Sequence, residues 1–317
     1  MIRSYTLDDS GLTETPRPTD AAIWFDLLDP TPGEEDAVAR LVGHKVPSRE
    51  DMEEIEVSSR LYLADGGAIM TAILPAHAEN DDPEMAPVSF VLTDAKLVTV
   101  RFHEPQAFRS YPDRWGWSGS SVADAEGVLV GLLEAVVDRL ADILERDAQE
   151  IDTISRRVFR RESGAGTDFQ DMLEEIGRKG DLTSNIRDSL VTLDRLARFL
   201  GQLAAQRKSA KDARERIKVL SRDVGSLLDH AGFLSQKITF LLDATLGMIS
   251  IEQNAIIKIF SVVAVMFLPP TLIASVYGMN FRHMPELAWP VGYPLAIVLM
   301  LVSAIVPYFY FKRRGWL

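Results

Sequence analysis

The 317-residue chain has no cysteine, which removes disulfides and every thiolate metal site from consideration. Any metal handled by this chain meets oxygen or imidazole ligands. Imidazole is scarce as well, since the five histidines (His44, His77, His103, His230 and His283) are scattered without metal-ligand spacing and each reads as an ordinary surface or core residue. Residues 1 to 118 lack a phosphate-cradling glycine loop, a nucleophile elbow and a paired-histidine motif, so no catalytic constellation or organic cofactor is expected. The first residues, Met1 to Asp9, lack the basic start and apolar core of a secretory signal, which predicts that the body of the chain stays in the cytoplasm.

Fixed charge is missing from two long runs, Ile259 to Tyr277 and Val291 to Phe311. Each can cross a bilayer core, which needs about 20 residues of helix. Buried core helices rarely stay uncharged for so long, and these two lie almost back to back, so both read as membrane spans. Lys258 precedes the first, and Lys312, Arg313 and Arg314 follow the second, which by the positive-inside rule predicts that both ends face the cytoplasm. The linker from Phe281 to Pro290 carries only Arg282 and Glu286 as fixed charges and is then external. Trp289, Tyr293, Tyr308, Tyr310 and Trp316 fall near the expected interfaces, where amphipathic rings are favoured.

Residues 251 to 317 hold five basic and two acidic residues, a balance of +3, so the first 250 carry −15 of a chain whose net charge is −12. Such an acidic body repels nucleic acid and anionic lipid surfaces while concentrating cations.

Within that body, Ile2 to Leu7, Ala22 to Leu27, Arg60 to Ala64, Ala68 to Leu74, Val88 to Leu92 and Leu97 to Phe102 read as strands from their β-branched and aromatic content. Asp29-Pro30 and Pro32-Gly33 lead into a helix near Glu34 to Val42, and Ser48 to Asp51 opens a further acidic helical turn. This predicts an α/β domain over residues 1–118.

From Ser121 the pattern becomes helical. Leu129, Leu133, Val136, Leu140, Ile143, Ile151, Ile154 and Val158 form one apolar stripe, and Glu134, Asp138, Asp142, Glu145, Asp147, Glu150 and Asp152 a flank expected to be solvated. A turn at Ser163 to Asp168 and a second helix from Phe169 to about Ala205 predict an antiparallel hairpin over 119–206. A stalk helix over 207–258 follows. Its heptad-like register runs through Leu220, Val224, Leu227, Ala231, Leu234, Ile238, Leu241, Thr245 and Met248, which predicts packing of copies around a shared axis. If it continues from Lys211 to Tyr277 it spans about 100 Å at 1.5 Å per residue.

On a helical wheel the hydroxyl residues of the first span, Ser261, Thr271 and Ser275, fall with Asn254 in an arc of roughly 100°, together with Ile257, Ala264 and Leu268. Such a face serves equally well for helix packing or for lining a pore. Two spans cannot enclose a pore alone, so the second use requires a ring of subunits.

The run Tyr277-Gly278-Met279-Asn280-Phe281, with Met284-Pro285-Glu286-Leu287 behind it, closely resembles the signature of the CorA magnesium transporter family. Ile251-Glu252-Gln253-Asn254, Pro269-Pro270-Thr271 and the closing Phe311-Lys312-Arg313-Arg314-Gly315-Trp316-Leu317 fit the same family. The resemblance implies a funnel-shaped homopentamer in the inner membrane: an α/β cytoplasmic domain, long stalk helices and two C-terminal transmembrane helices at 259–278 and 291–311, with an external loop at 279–290 and a basic tail at 312–317. It implies a divalent cation channel for Mg²⁺ influx, with Co²⁺ and Ni²⁺ as secondary ions. Gly278, Met279 and Asn280 would form the selectivity filter, Asn254 an inner polar ring, and Ile257, Phe260, Ala264, Leu268 and Thr271 the pore lining between. Glu286 would be the external acid. Cytoplasmic Mg²⁺ bound between subunits would hold the channel closed, with Asp81, Asp82, Asp223 and Asp229 as candidate carboxylates.

Arg282-His283 departs from the family, whose members often place an acidic residue there, and lowers the negative charge of the mouth. A zinc-transporting relative and a membrane-anchored scaffold without transport are the alternatives; the intact Gly-Met-Asn tripeptide argues for Mg²⁺. The expected partners are further copies of the chain, membrane lipid and divalent cations, and not nucleic acid.

Overall fold

The structure, a computed structural model, describes residues 1–8, 11–54, 56, 60–64, 66–79, 82–114, 124–159, 169–280, 282 and 284–316. Several expectations lie outside the described residues: the start of the first long helix at Ser121, the turn at Ser163 to Asp168, the boundary near residue 118, and Asp81, Phe281 and His283. The chain divides into two compact units, Met1–Leu242 and Asp243–Leu317.

The first unit is built on a seven-stranded sheet of order β2-β1-β3-β7-β6-β5-β4. Its strands are β1 (Ile2–Asp8), β2 (Gly11–Thr15), β3 (Trp24–Leu28), β4 (Leu61–Ala64), β5 (Gly67–Ala76), β6 (Glu84–Leu92) and β7 (Leu97–Arg101). Only β3 and β7 pair in parallel; the other described pairs are antiparallel.

Alternation along β3 and β7 sends side chains to two faces. Phe25, Leu27, Val98 and Val100 share a core with Val38 of α1 (Pro32–Val42) and Met52 of α2 (Arg49–Glu53). Trp24, Thr99 and Phe90 point the other way. There, Trp24 meets Phe108 and Tyr111 of α3 (Gln106–Arg114) at ring-centroid distances of 6.4 and 6.1 Å. That second face is covered by the hairpin of α4 (Ala125–Phe159) and α5 (Phe169–Gln206), and the Thr192 hydroxyl of α5 accepts a hydrogen bond from the Ile73 amide at 3.0 Å. The unit is therefore a layered α/β/α body.

Both short helices start on capping boxes. The Thr31 amide donates to the Glu34 carboxylate at 2.9 Å and the Ser48 amide to Asp51 at 2.9 Å, each satisfying a donor the helix leaves free. The backbone bond from Ser48 is the largest cause holding the Asp51 carboxyl below its usual range.

Within the first unit the structure adds two described elements to those read from sequence, β2 and α3. β2 is a polar edge strand (Leu-Thr-Glu-Thr after Gly11) and lacks the alternating apolar signal of a buried strand. β6 starts four residues before the expected Val88. Residues 84–87 pair with β5 alone, so Pro87, which has no amide to donate, sits where the sheet has a free side.

One helical reading needs correction, and another gains a use within the chain. Asp147 does not lie on the solvated flank. It is 1% exposed, accepts a hydrogen bond from the Thr183 hydroxyl at 2.7 Å and lies 3.8 Å from the Lys179 ammonium. Its position four residues after Ile143 and four before Ile151 places it on the apolar stripe. The heptad of α6 (Lys211–Tyr277) is also used within one chain: Leu220, Val224, Ala231, Leu234, Ile238 and Leu241 are buried inside the first unit. Ile238 and Ile217 face Gly180 and Gly201 of α5, where an added Cβ would meet them at 3.6 and 3.7 Å, and Arg216 clasps Glu134 of α4 at 3.0 and 2.6 Å. The periodicity thus records a three-helix contact in the subunit and does not itself call for a second copy.

Candidate functional site

The second unit holds the C-terminal part of α6, a short 3₁₀ turn at Pro285–Ala288 and α7 (Gly292–Arg313). α6 and α7 are the two described helices long and apolar enough to cross a membrane. Phe260, Phe267, Leu268 and Leu272 of α6 are all more than 60% exposed, an apolar surface that water does not tolerate over such an area.

Shielding along this part of α6 is one-sided. Val262 is buried, and Met266, Pro269, Pro270, Ile273 and Tyr277 are half-buried. At 100° per residue these six fall on one face, roughly opposite Asn254, Ile257, Ser261, Ala264, Leu268 and Thr271, all of which are exposed. The face carrying the candidate lining residues lies within the wide arc that the chain leaves bare, and residues 251–261 are exposed on every side.

Two of the three hydroxyls on that face, Ser261 and Thr271, are already committed as donors. Ser261 donates to the Ile257 carbonyl at 2.7 Å and Thr271 to the Phe267 carbonyl at 2.6 Å. Each hydroxyl has a single proton, so its oxygen faces outward as an acceptor. Pro269 and Pro270 supply no amide protons, which frees the carbonyls of Val265 and Met266 from their helical partners.

At the end of α6 the Gly278 amide bonds Ala274 at 2.9 Å and the Met279 amide bonds Val276 at 3.4 Å, so the helix tightens before it stops. Gly278 does not adopt a left-handed backbone, so the stop does not draw on angles reserved for glycine. Space is the constraint, since a Cβ there would lie 3.0 Å from the Ala274 carbonyl oxygen. Met279, Asn280 and Glu286 are exposed. Sequence gives Gly292 no distinguishing mark, yet the structure does: its Cβ position falls within 3.0 Å of the Glu286 carbonyl oxygen.

α7 closes on a Schellman-type cap, with Gly315 at φ 72° and the Trp316 amide bonded to Phe311 at 3.1 Å. Lys312 lies over the Tyr308 ring and Arg314 over Tyr310, at 5.8 and 5.4 Å, which gathers cations and aromatic rings at one helix end.

The candidate regulatory carboxylates are dispersed. Asp82, Asp223 and Asp229 are exposed, and among the described residues no three His, Asp or Glu side chains are grouped to hold a metal within one chain.

The family model described as CorA-like Mg²⁺ transporter protein matches residues 19–313. The chain belongs to the CorA-like Mg²⁺ transporter family. Over their full lengths, the chain is 36% identical to the magnesium transport protein CorA of Pasteurella multocida. Among solved structures, the complete CorA magnesium transporter of Methanocaldococcus jannaschii superposes with a TM-score of 0.74 at 20% identity, covering 100% of this chain and 99% of that one. Full-length CmaX superposes at 0.68 and 16% identity, covering 99% and 97%. These two likenesses concern the fold: an α/β domain, long helices and two C-terminal apolar helices. The family is one of transporters, and the chain is not an enzyme.

Proposed function

We propose that this chain forms a Mg²⁺ influx channel: a funnel-shaped homopentamer in the inner membrane, spanning at 259–278 and 291–311 with both termini in the cytoplasm. The observation that carries the reading is the shielding of one arc of α6 between Val262 and Tyr277, which leaves bare the face bearing Ala264, Leu268 and Thr271, directly before Gly278-Met279-Asn280. Arranged around an axis, five such faces enclose a path lined by Asn254, Ile257, Phe260, Ala264, Leu268 and Thr271, with Gly278, Met279 and Asn280 as the outer filter.

The chemistry suits an ion that keeps its water. Mg²⁺ dehydrates reluctantly, and coordinated water donates hydrogen bonds. The Ser261 and Thr271 oxygens are presented as acceptors, and a ring of Asn280 carboxamide oxygens offers further acceptors without the tight grip of carboxylates, so the ion can leave. Ile257, Phe260 and Leu268 supply apolar collars that close by dewetting. Co²⁺ and Ni²⁺ share the charge and hydration of Mg²⁺ and follow the same path. Cytoplasmic Mg²⁺ bridging carboxylates of adjacent subunits, from among Asp81, Asp82, Asp223 and Asp229, holds the gate shut.

The test is flux of Mg²⁺, Co²⁺, Ni²⁺ and Zn²⁺ into proteoliposomes at low and high internal Mg²⁺. Mg²⁺ entry that stops when internal Mg²⁺ rises supports the reading. Zn²⁺ entry alone makes the chain a zinc carrier, and failure of all four ions in vesicles shown to hold folded protein makes it a membrane-anchored scaffold.

A further inference from the structure

We infer that Gly292 is a positioning residue for the external mouth: the absence of a side chain lets the Pro285–Ala288 turn seat against the start of α7 and fixes where Glu286 offers its carboxylate to arriving divalent cations. The inference rests on the transport reading above.

Gly292 is the first residue of α7, and its backbone is not left-handed. An alanine could adopt the same angles and would favour the helix, since glycine is a poorer helix former by about 1 kcal/mol. What forbids it is the turn. A Cβ at residue 292 would come closer than 3.0 Å to the Glu286 carbonyl oxygen and to 3.7 Å from Cβ of Trp289. Backbone cannot step aside as a flexible side chain does, so the turn must move.

That carbonyl is also an acceptor within the turn. It receives the Trp289 amide at 3.4 Å, while the Leu287 amide bonds Met284 at 3.2 Å and the Gly292 amide bonds Trp289 at 3.0 Å. Three successive bonds thus tie Met284 to the head of α7 and pass through the peptide group of Glu286. Displacing its carbonyl carries the side chain along.

Glu286 is the sole carboxylate between Gly278 and Pro290, with Arg282 as the one fixed cation. Its side chain is exposed. A lone carboxylate beside a cation path raises the local ion concentration in proportion to its nearness, within a screening length of about 10 Å at 0.1 M salt. Its position therefore controls apparent affinity, while the rate through a saturated pore depends on the filter.

Mg²⁺ uptake is measured against external Mg²⁺ in proteoliposomes of equal protein content for wild type, Glu286→Gln, Gly292→Ala and the double variant. Each single variant is expected to raise the half-saturating concentration by at least roughly threefold, because the five loop carboxylates of the proposed pentamer change together, and to leave maximal flux unchanged. The double variant is expected to be no worse than Glu286→Gln, and the differences vanish at high ionic strength. An unshifted half-saturation in Gly292→Ala, an indifferent Glu286→Gln, or effects that multiply in the double variant overturn the inference while wild-type flux upholds the transport reading. Absence of wild-type flux removes both. The cysteine-free background gives a readout independent of transport. With Glu286→Cys as the only thiol, labelling rates by cationic and anionic reagents are expected to change severalfold when Gly292→Ala is added; equal rates overturn the inference.

Discussion

The Arg101 guanidinium grips the Asp26 carboxylate with two parallel bonds, 3.0 Å from Nε and 2.8 Å from Nη2, while both side chains are only 1% exposed. The pair ties the parallel strands β3 and β7 together in the middle of the sheet. Thr99 donates to the same carboxylate at 2.8 Å and accepts from the Trp24 indole at 3.0 Å, and the remaining Arg101 arm reaches the His103 carbonyl at 2.8 Å. The charge is buried but completely enclosed by partners.

Breaking that enclosure from one side leaves a guanidinium in the core without its counter-charge. Asp26→Asn is expected to destabilise the first unit by about 3–5 kcal/mol, and pairing Asp26→Leu with Arg101→Met to recover most of the loss. Denaturant midpoints of the full-length chain in detergent check both.

His103 gives the first unit a dependence on pH. Its Nε2–H donates to the Leu74 carbonyl at 2.8 Å, while Nδ1 has no hydrogen-bond partner among the described residues. A second proton would sit on Nδ1 with no acceptor. Burial is the main cause that holds the imidazole below its ordinary value of 6.5, with Glu84 opposing and Arg101 adding to the effect. The unfolded chain therefore takes up a proton at a pH where the folded chain does not. Stability is full above about pH 6.5 and falls as pH drops below it. Melting temperature against pH is expected to show this slope in wild type and a shallower one in His103→Gln.

Gly131 of α4 lies under the Tyr111 ring, where a Cβ would come within 3.0 Å of the hydroxyl and two ring carbons. The Tyr111 hydroxyl donates to the Val128 carbonyl at 2.9 Å, which pins the ring in place. Gly131→Ala improves helix propensity yet is expected to lower stability by about 1–3 kcal/mol through overpacking. Thermal melting of the variant decides the sign.

Periodicity made much of the first unit legible. The apolar stripe from Leu129 to Val158 is buried throughout its named positions, because a 3.6-residue repeat has few physical alternatives. Asp147 is the exception, because its charge marks a solvated flank while its spacing from Ile143 and Ile151 puts it on the stripe. β2 escaped because an edge strand of threonine and glutamate carries no burial signal. The heptad of α6 was visible as a pattern, but a pattern does not name its partner, and here Glu134 and Gly180 reveal that the partner is the hairpin of the same chain.

In the second unit, composition marked the apolar helices and the motif marked the turn at Gly278. The wheel placed Asn254, Ser261 and Thr271 on one face but could not choose between packing and lining; the shielding of Val262 and its neighbours on the opposite face supplies the support for lining. Gly292 was illegible, because the carbonyl that excludes a side chain there belongs to Glu286, and their closeness is a property of the folded turn alone.

The most direct measurement is Mg²⁺ flux into proteoliposomes holding wild type or Asn280→Ala, with low internal Mg²⁺ and oligomeric state matched by size in detergent. The account predicts rapid wild-type entry and a fall of at least about tenfold in the variant, the loss of roughly 1.4 kcal/mol of stabilisation along the path. Equal flux through both, with the assembly intact, would contradict a filter built from Gly278, Met279 and Asn280.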